Sequence, residues 1–255
     1  MTARPAFRRA IAIHGRDGVV EAEMEDDFHR FGVTVRHDGL RALRIEARAH
    51  RYPWVTCQEA PAALTALEGV ALSANPAALF SHADPRHHCT HLFELAALAL
   101  AHAARGDGRR LYEAEVTDPE QGARAARLTQ DGQLVMEWRL HDDRITAPPE
   151  YAGRAAGSFR SGGLAALDPD LAERLLILRR VVQTAGGRAM NVDAYATAAA
   201  MGRPPACYSL QPAIAGRARR IPLTHRDWSD FPSLLRSLGP WSHLDTGQGP
   251  GGQAD

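Results

Sequence analysis

Hydrophobic and polar positions alternate along residues 20–47. Val20, Ala22 and Met24 are separated by acids, Phe31, Val33 and Val35 by small or polar residues, and Leu43, Ile45 and Ala47 by charged ones. A period of two predicts half-buried strands, and Asp38-Gly39 predicts a tight hairpin turn between the second and third. The pattern then changes. In "TCQEAPAALTALEGV", Thr56 followed by Glu59 makes a capping box, which puts Cys57 at the first helical position and ends the helix near Gly69. From Thr90 to Ala104 the chain is apolar and alanine-rich, predicting a helix that stops at Gly106.

Alternation returns after that helix. Tyr112-Glu113-Ala114-Glu115-Val116 echoes Val20-Glu21-Ala22-Glu23-Met24, and Asp131-Gly132 echoes Asp38-Gly39. The echo predicts a second, similar three-stranded unit, in a sheet of its own or continuous with the first. Asp168-Pro169 opens a further helix that runs to Gly186-Gly187. Beyond Asn191 no period is clear, and the end, "TGQGPGGQAD", predicts disorder.

The fold class expected is α+β, with antiparallel β-meanders packed against a few α-helices. Three stretches are expected: a core at 1–106, a second meander plus helix at 107–190, and an irregular tail at 191–255. No βαβ alternation, Gly-rich phosphate loop or Gly-x-Ser-x-Gly elbow is present, which disfavours nucleotide-binding and α/β-hydrolase folds.

Composition narrows the partners. Thirty basic and thirty acidic residues cancel, which argues against a nucleic-acid or anionic-membrane binder. No apolar run approaches the roughly 18 to 20 residues of a membrane span, and "MTARPAFRRAIAIHGRDG" lacks a secretory pattern. A cytoplasmic protein is therefore expected, with a small molecule as its partner. Sheet edges are compatible with a homodimer.

The chemistry concentrates in "PRHHCTHLFEL", residues 85–95, where His87, His88, Cys89 and His91 enter the alanine-rich helix. Groups in that first turn feel the positive end of the helix dipole, which favours a thiolate. Cys57 is placed in the same way on its own predicted helix. In "EMEDDFHRF", continued alternation would set Asp27 and His29 on the face of Phe31 and Val33. Thiolate, imidazole and carboxylate together suit zinc or iron. The candidate metal ligands are therefore Asp27, Cys57, His88, Cys89 and His91, with His29 or His91 as a proton carrier. Solvated loop histidines, packed cysteines and turn acids are the plainer readings of the same residues. A cysteine nucleophile activated by histidine and an interaction module are the other functions these residues allow.

The run "EDDFHRFGVTVRHDG", then "TCQEAPAALTALEGVAL", then "HHCTHLFELAALALAHA", over residues 21–104, resembles the iron–sulfur cluster scaffold proteins of the IscU/NifU type. On that resemblance, Cys57 matches the middle cysteine, His88-Cys89-Thr90 the His-Cys-Ser before the long helix, and Asp27 the family's aspartate. It implies bound zinc, iron or a nascent Fe–S cluster. The chain departs from the pattern with Glu25 at the first cysteine and with Thr56 and Gln58 in place of glycines, which favours a single zinc or iron ion. With "ACYSLQP" and "RDWSDF" included, the whole chain also resembles a bacterial domain-of-unknown-function family, which implies no activity. The functions expected are metal binding on a scaffold-like core or, alternatively, a metal-dependent hydrolase or lyase acting on a small carboxylate or thioester.

Overall fold

The computed structural model describes residues 5–159, 161–228 and 234–235. Its centre is one eight-stranded antiparallel sheet in the order β4-β3-β2-β1-β5-β6-β7-β8. The strands are β1 (Ala6–Arg16), β2 (Val19–Asp26), β3 (Arg30–His37), β4 (Ala42–Arg51), β5 (Gly108–Thr117), β6 (Ala123–Gln130), β7 (Gln133–His141) and β8 (Arg144–Ala147). The class is α+β, built from antiparallel meanders as the alternation predicted.

Each meander has four strands rather than three, and the two are joined through their first strands. β1 pairs β5 from Ala6↔Thr117 to Gly15↔Gly108, making one continuous sheet. Two four-stranded meanders fanning outward from an antiparallel central pair is the arrangement of a two-fold repeat. The internal echo is thus real in kind but one strand out of register, because Tyr112–Val116 lies on the first strand of its unit and Val20–Met24 on the second of its own. Two-residue turns with positive φ fall at Asp17-Gly18, Asp131-Gly132 and Asp142-Asp143, where φ is 52° and 75°, 51° and 80°, and 46° and 66°. Asp38-Gly39 instead belongs to a wider connection, in which the Asp38 carboxylate accepts the N–H groups of Leu40 and Arg41 at 2.8 and 2.7 Å.

Four helices are described: α1 (Thr90–Arg105), α2 (Ser161–Leu164), α3 (Pro169–Ala185) and α4 (Pro212–Ala215). α1 packs against β2 and β3, and α3 against β5 and β6. Both lie where the sequence predicts them. Asp168 caps α3 by accepting from the N–H groups of Asp170 and Leu171, both at 3.0 Å. Between the helices and the sheet lies the main core, with Phe7, Ile11, Phe31, Leu92, Phe93, Tyr112, Trp138 and Leu176 among its members.

The capping box at Thr56 does not form. Residues Val55–Gln58 and Ala60–Leu67 are 3-10 turns, and the residue ahead of the first makes no side-chain cap. The Thr56 hydroxyl donates instead to Ser209, at 2.8 Å. That bond ties this segment to the run of 3-10 turns after Asn191, which the lack of periodicity had left without elements. The predicted disorder at 246–255 lies outside the described residues.

Candidate active site

β2 and β3 meet in a hairpin whose turn residues are Asp27 and Phe28. Asp26 donates its N–H to the carbonyl of His29 at 2.9 Å, so the two are opposed across the turn and their side chains share a face. Alternation continued through the turn had paired Asp27 with His29. The strand ends at Asp26, and Asp26 is the partner.

The Asp26 carboxylate is fully buried and accepts from five donors. Oδ1 takes the backbone N–H groups of Phe28 and His29, both at 2.8 Å, and Nδ1 of the His29 ring at 3.1 Å. Oδ2 takes Nε and a terminal nitrogen of Arg9, at 3.0 and 2.5 Å. Burial alone would raise this carboxyl, but Arg9 and His29 outweigh it and hold it well below the usual carboxylate range. An ionised carboxylate only accepts, so Nδ1 of His29 is the donor in this bond. Nε2 has no hydrogen-bond partner among the described residues, and His29 lines a cleft.

α1 delivers the third member. Cys89 is its N-cap, which places His91 in the first turn over β2 and β3. The His91 ring lies tilted against that of His29, with centroids 4.1 Å apart and planes 32° apart, and His29 stacks on Phe31 at 5.5 Å. Burial, then the proximity of His29, depresses His91 well below the ordinary imidazole range, so it is neutral. Its Nε2 is buried without a hydrogen-bond partner among the described residues.

The hairpin is clamped from behind. Arg51 donates to the carbonyls of Asp26, Asp27 at 2.9 Å and His29 at 3.2 Å, and to that of Thr224 at 2.8 Å. Trp228 Nε1 adds a bond to the Asp26 carbonyl at 3.3 Å. These bonds fix the backbone that aims the His29 ring.

The cleft has a volume of about 820 Å³, within the range of small-molecule sites. Phe28, Trp54, Met190, Met201 and Leu210 give it an apolar wall, and His29, His91, Arg180 and Arg203 stand among its polar groups. Much of that wall comes from the aperiodic segment after residue 186.

The five expected metal ligands do not form one cluster. Among the described residues, the His, Cys, Asp and Glu group whose ligand atoms lie within 4.8 Å of one another is Asp26, His29 and His91, and of the five only His91 belongs to it. Asp27 is buried and bonded to Arg188, which also holds Asp118 at 2.8 Å. Burial pushes its carboxyl up to about 7 against the pull of Arg188, and the two carboxylates in turn keep Arg188 protonated. His88 is buried beside Phe93, with ring centroids 5.2 Å apart.

The cysteines lie in separate hydrophobic clusters. Cys89 belongs to the main core, and Cys57 to a smaller one with Trp54, Ala198, Ala215 and Ala218. Cys57 contacts the Ser209 hydroxyl at 3.4 Å. The expectation of thiolates is not met. Burial pushes Cys57 up to about 11 and Cys89 higher: for Cys57 desolvation outweighs the hydrogen bond with Ser209, and for Cys89 it outweighs the backbone N–H groups at the start of α1.

No family model matches this chain, and no curated protein does. Any function assigned to it therefore rests on the site itself. No helix among the described residues is long and apolar enough to cross a membrane. Sequence reading passed over Arg9, Asp26, Arg180 and Arg203. The signal for Asp26 was present, since an Asp-Asp pair ending a strand, with histidine three residues after the first acid, is a hairpin whose ends face each other.

Proposed function

We propose that the protein is an enzyme in which His29, oriented by buried Asp26, acts as general base on a small molecule held in the cleft. The observation that carries this reading is the saturated Asp26 carboxylate. Two bonds from Arg9 and three from the hairpin leave it little capacity for a metal, but suit it to fix one tautomer of His29 and to stabilise the imidazolium that forms when Nε2 takes a proton. Neutral His91 packs against the same ring and excludes water from that side. Arg180, held through Nε by Glu94 at 3.0 Å, supplies donors at the cleft for an oxygen that gains charge as the proton leaves. The chemistry supported is proton abstraction next to a carbonyl, or activation of water against an ester or thioester.

A second reading keeps the metal. Nε2 of His29 and of His91 would hold a divalent ion, with Asp26 orienting His29 as an outer carboxylate. The convergence within 4.8 Å and the unpartnered His91 Nε2 favour it.

The test measures exchange of α-protons into deuterated water, and thioester hydrolysis, over a panel of small carboxylic acids and thioesters, with elemental analysis of the same sample. His29→Gln is expected to lower the rate by about 10²–10⁴-fold, the usual worth of a general base, in protein without stoichiometric metal. Full activity in His29→Gln would refute the base. Stoichiometric zinc or iron lost in His91→Ala would establish the second reading.

A further inference from the structure

The charges around the cleft do not all cancel. Arg180 is paired with Glu94 at 3.0 Å, and Arg220 with Asp193 at 2.8 Å. Asp143, which also reaches the lining, is paired with Arg124. Arg203 is the exception: among the described residues no carboxylate reaches it, and its guanidinium donates to the sulfur of Met190. A thioether is a weak acceptor and neutralises nothing.

A line of contacts connects this cation to the dyad. The Phe28 ring lies 6.1 Å from that of His29, centroid to centroid. Gly187 packs under Phe28 so closely that a Cβ there would sit 3.2 Å from the ring. Met190, three residues further on, reaches Arg203. The wall between His29 and Arg203 is thus largely aromatic and apolar, with the His225 ring stacked on Phe28 at 4.8 Å, the base at one end and, among the described residues, a positive charge without a carboxylate partner at the other.

We infer that the ligand of this cleft is a monoanionic organic acid with an apolar or aromatic body, its carboxylate held by Arg203 and its body laid along Phe28 and Met190. Arg203 sheds the sulfur contact for a bidentate carboxylate, whose planar geometry a guanidinium matches. Among the described residues Arg203 is the one lining arginine without a carboxylate partner, and it selects one negative charge. The apolar wall selects against highly hydroxylated or polyphosphorylated molecules, which would leave polar groups unpaired against it. This rests on the cleft being the substrate site but not on His29 being the base.

The test is calorimetric titration with 3-phenylpropionate and with its uncharged analogue 3-phenylpropanamide. The wild-type chain is expected to bind the acid at least tenfold more tightly than the amide. Arg203→Gln should remove that preference by weakening the acid alone, and Arg203→Lys should restore part of it. Arg203 is exposed and makes no buried bond, so these variants keep the fold. His29→Gln should bind the acid within about threefold of wild type, which separates a failure of the base from a failure of this inference. Equal binding of acid and amide, no binding of either, or an unchanged acid affinity in Arg203→Gln would overturn it.

Discussion

Replacing Asp26 with asparagine is the most informative perturbation, because the workload of the two oxygens allows no good orientation of an amide. Oδ1 accepts three N–H groups and Oδ2 accepts two from Arg9. An amide NH₂ placed at either position meets donors. Turned toward Arg9, it also leaves a guanidinium that is 2% exposed without its counter-charge. Breaking a buried ion pair by removing one partner costs roughly 3–5 kcal/mol. A domain holds only about 5–15 kcal/mol in total. With a urea dependence near the upper end of about 1–3 kcal/mol per molar, that is a midpoint lower by about 1–2 M.

The assay is urea unfolding followed by circular dichroism for wild type, Asp26→Asn, Arg9→Met and the double variant. The double variant removes the stranded charge, so it is expected to be more stable than the sum of the single losses implies, by roughly 1 kcal/mol or more. His29→Gln loses one bond to a charged acceptor and should cost less than Asp26→Asn, about 1.5–3 kcal/mol. An Asp26→Asn protein within about 1 kcal/mol of wild type would refute the account of this carboxylate.

Other outcomes follow from the same structure. Burial depresses His50, His88, His91, His102 and His225 below 6.5, so the unfolded chain binds protons that the folded one refuses. These histidines should make stability fall as pH drops through about 6.5, against the raised carboxyls of Asp27, Glu113 and Glu173, which act in the opposite sense; in Asp27→Asn, which removes the largest opposing carboxyl, a flat or rising thermal midpoint from pH 7.5 to 5.5 would contradict this. Burial raises all three thiols, so iodoacetamide at pH 7.5 should label native Cys57 and Cys89 slowly and unfolded protein fast, and mass spectrometry showing prompt native labelling of Cys89 would count against it. Gly187→Val should push the Phe28 ring and weaken 3-phenylpropionate binding about tenfold. Gly186→Ala, which meets no atom within 4 Å, should leave it unchanged, and equal effects from both would remove Phe28 from the binding wall.

Strands β2 to β5 and β7, together with α1 and α3, were legible because their apolar positions recur at the element's own period, although β3 is buried on both faces from Arg30 to Val35 and Leu43 on β4 is exposed. β1 was not. Arg8 and Arg9 interrupt its apolar positions, yet it is the central strand, and Arg9 is buried there only because Asp26 on β2 neutralises it. The register Arg9↔Asp26 is a property of pairing and has no trace in either segment alone. The cleft wall was illegible for another reason. Residues 186–210 are short 3-10 turns without period, and their place over the dyad is set by single contacts such as Gly187 against Phe28. The cluster at residues 87–91 drew attention by density, but helical geometry sends only His91 to the site and leaves His88 and Cys89 packed elsewhere.

The central claim is that Asp26 fixes the tautomer of His29, and nitrogen NMR tests it directly. In uniformly labelled protein at pH 8, long-range ¹H–¹⁵N correlations are expected to show His29 protonated at Nδ1, with an unprotonated Nε2. The same spectrum of Asp26→Asn, under conditions where it is folded, should lose that preference. A wild-type His29 carrying its proton on Nε2 would contradict the claim.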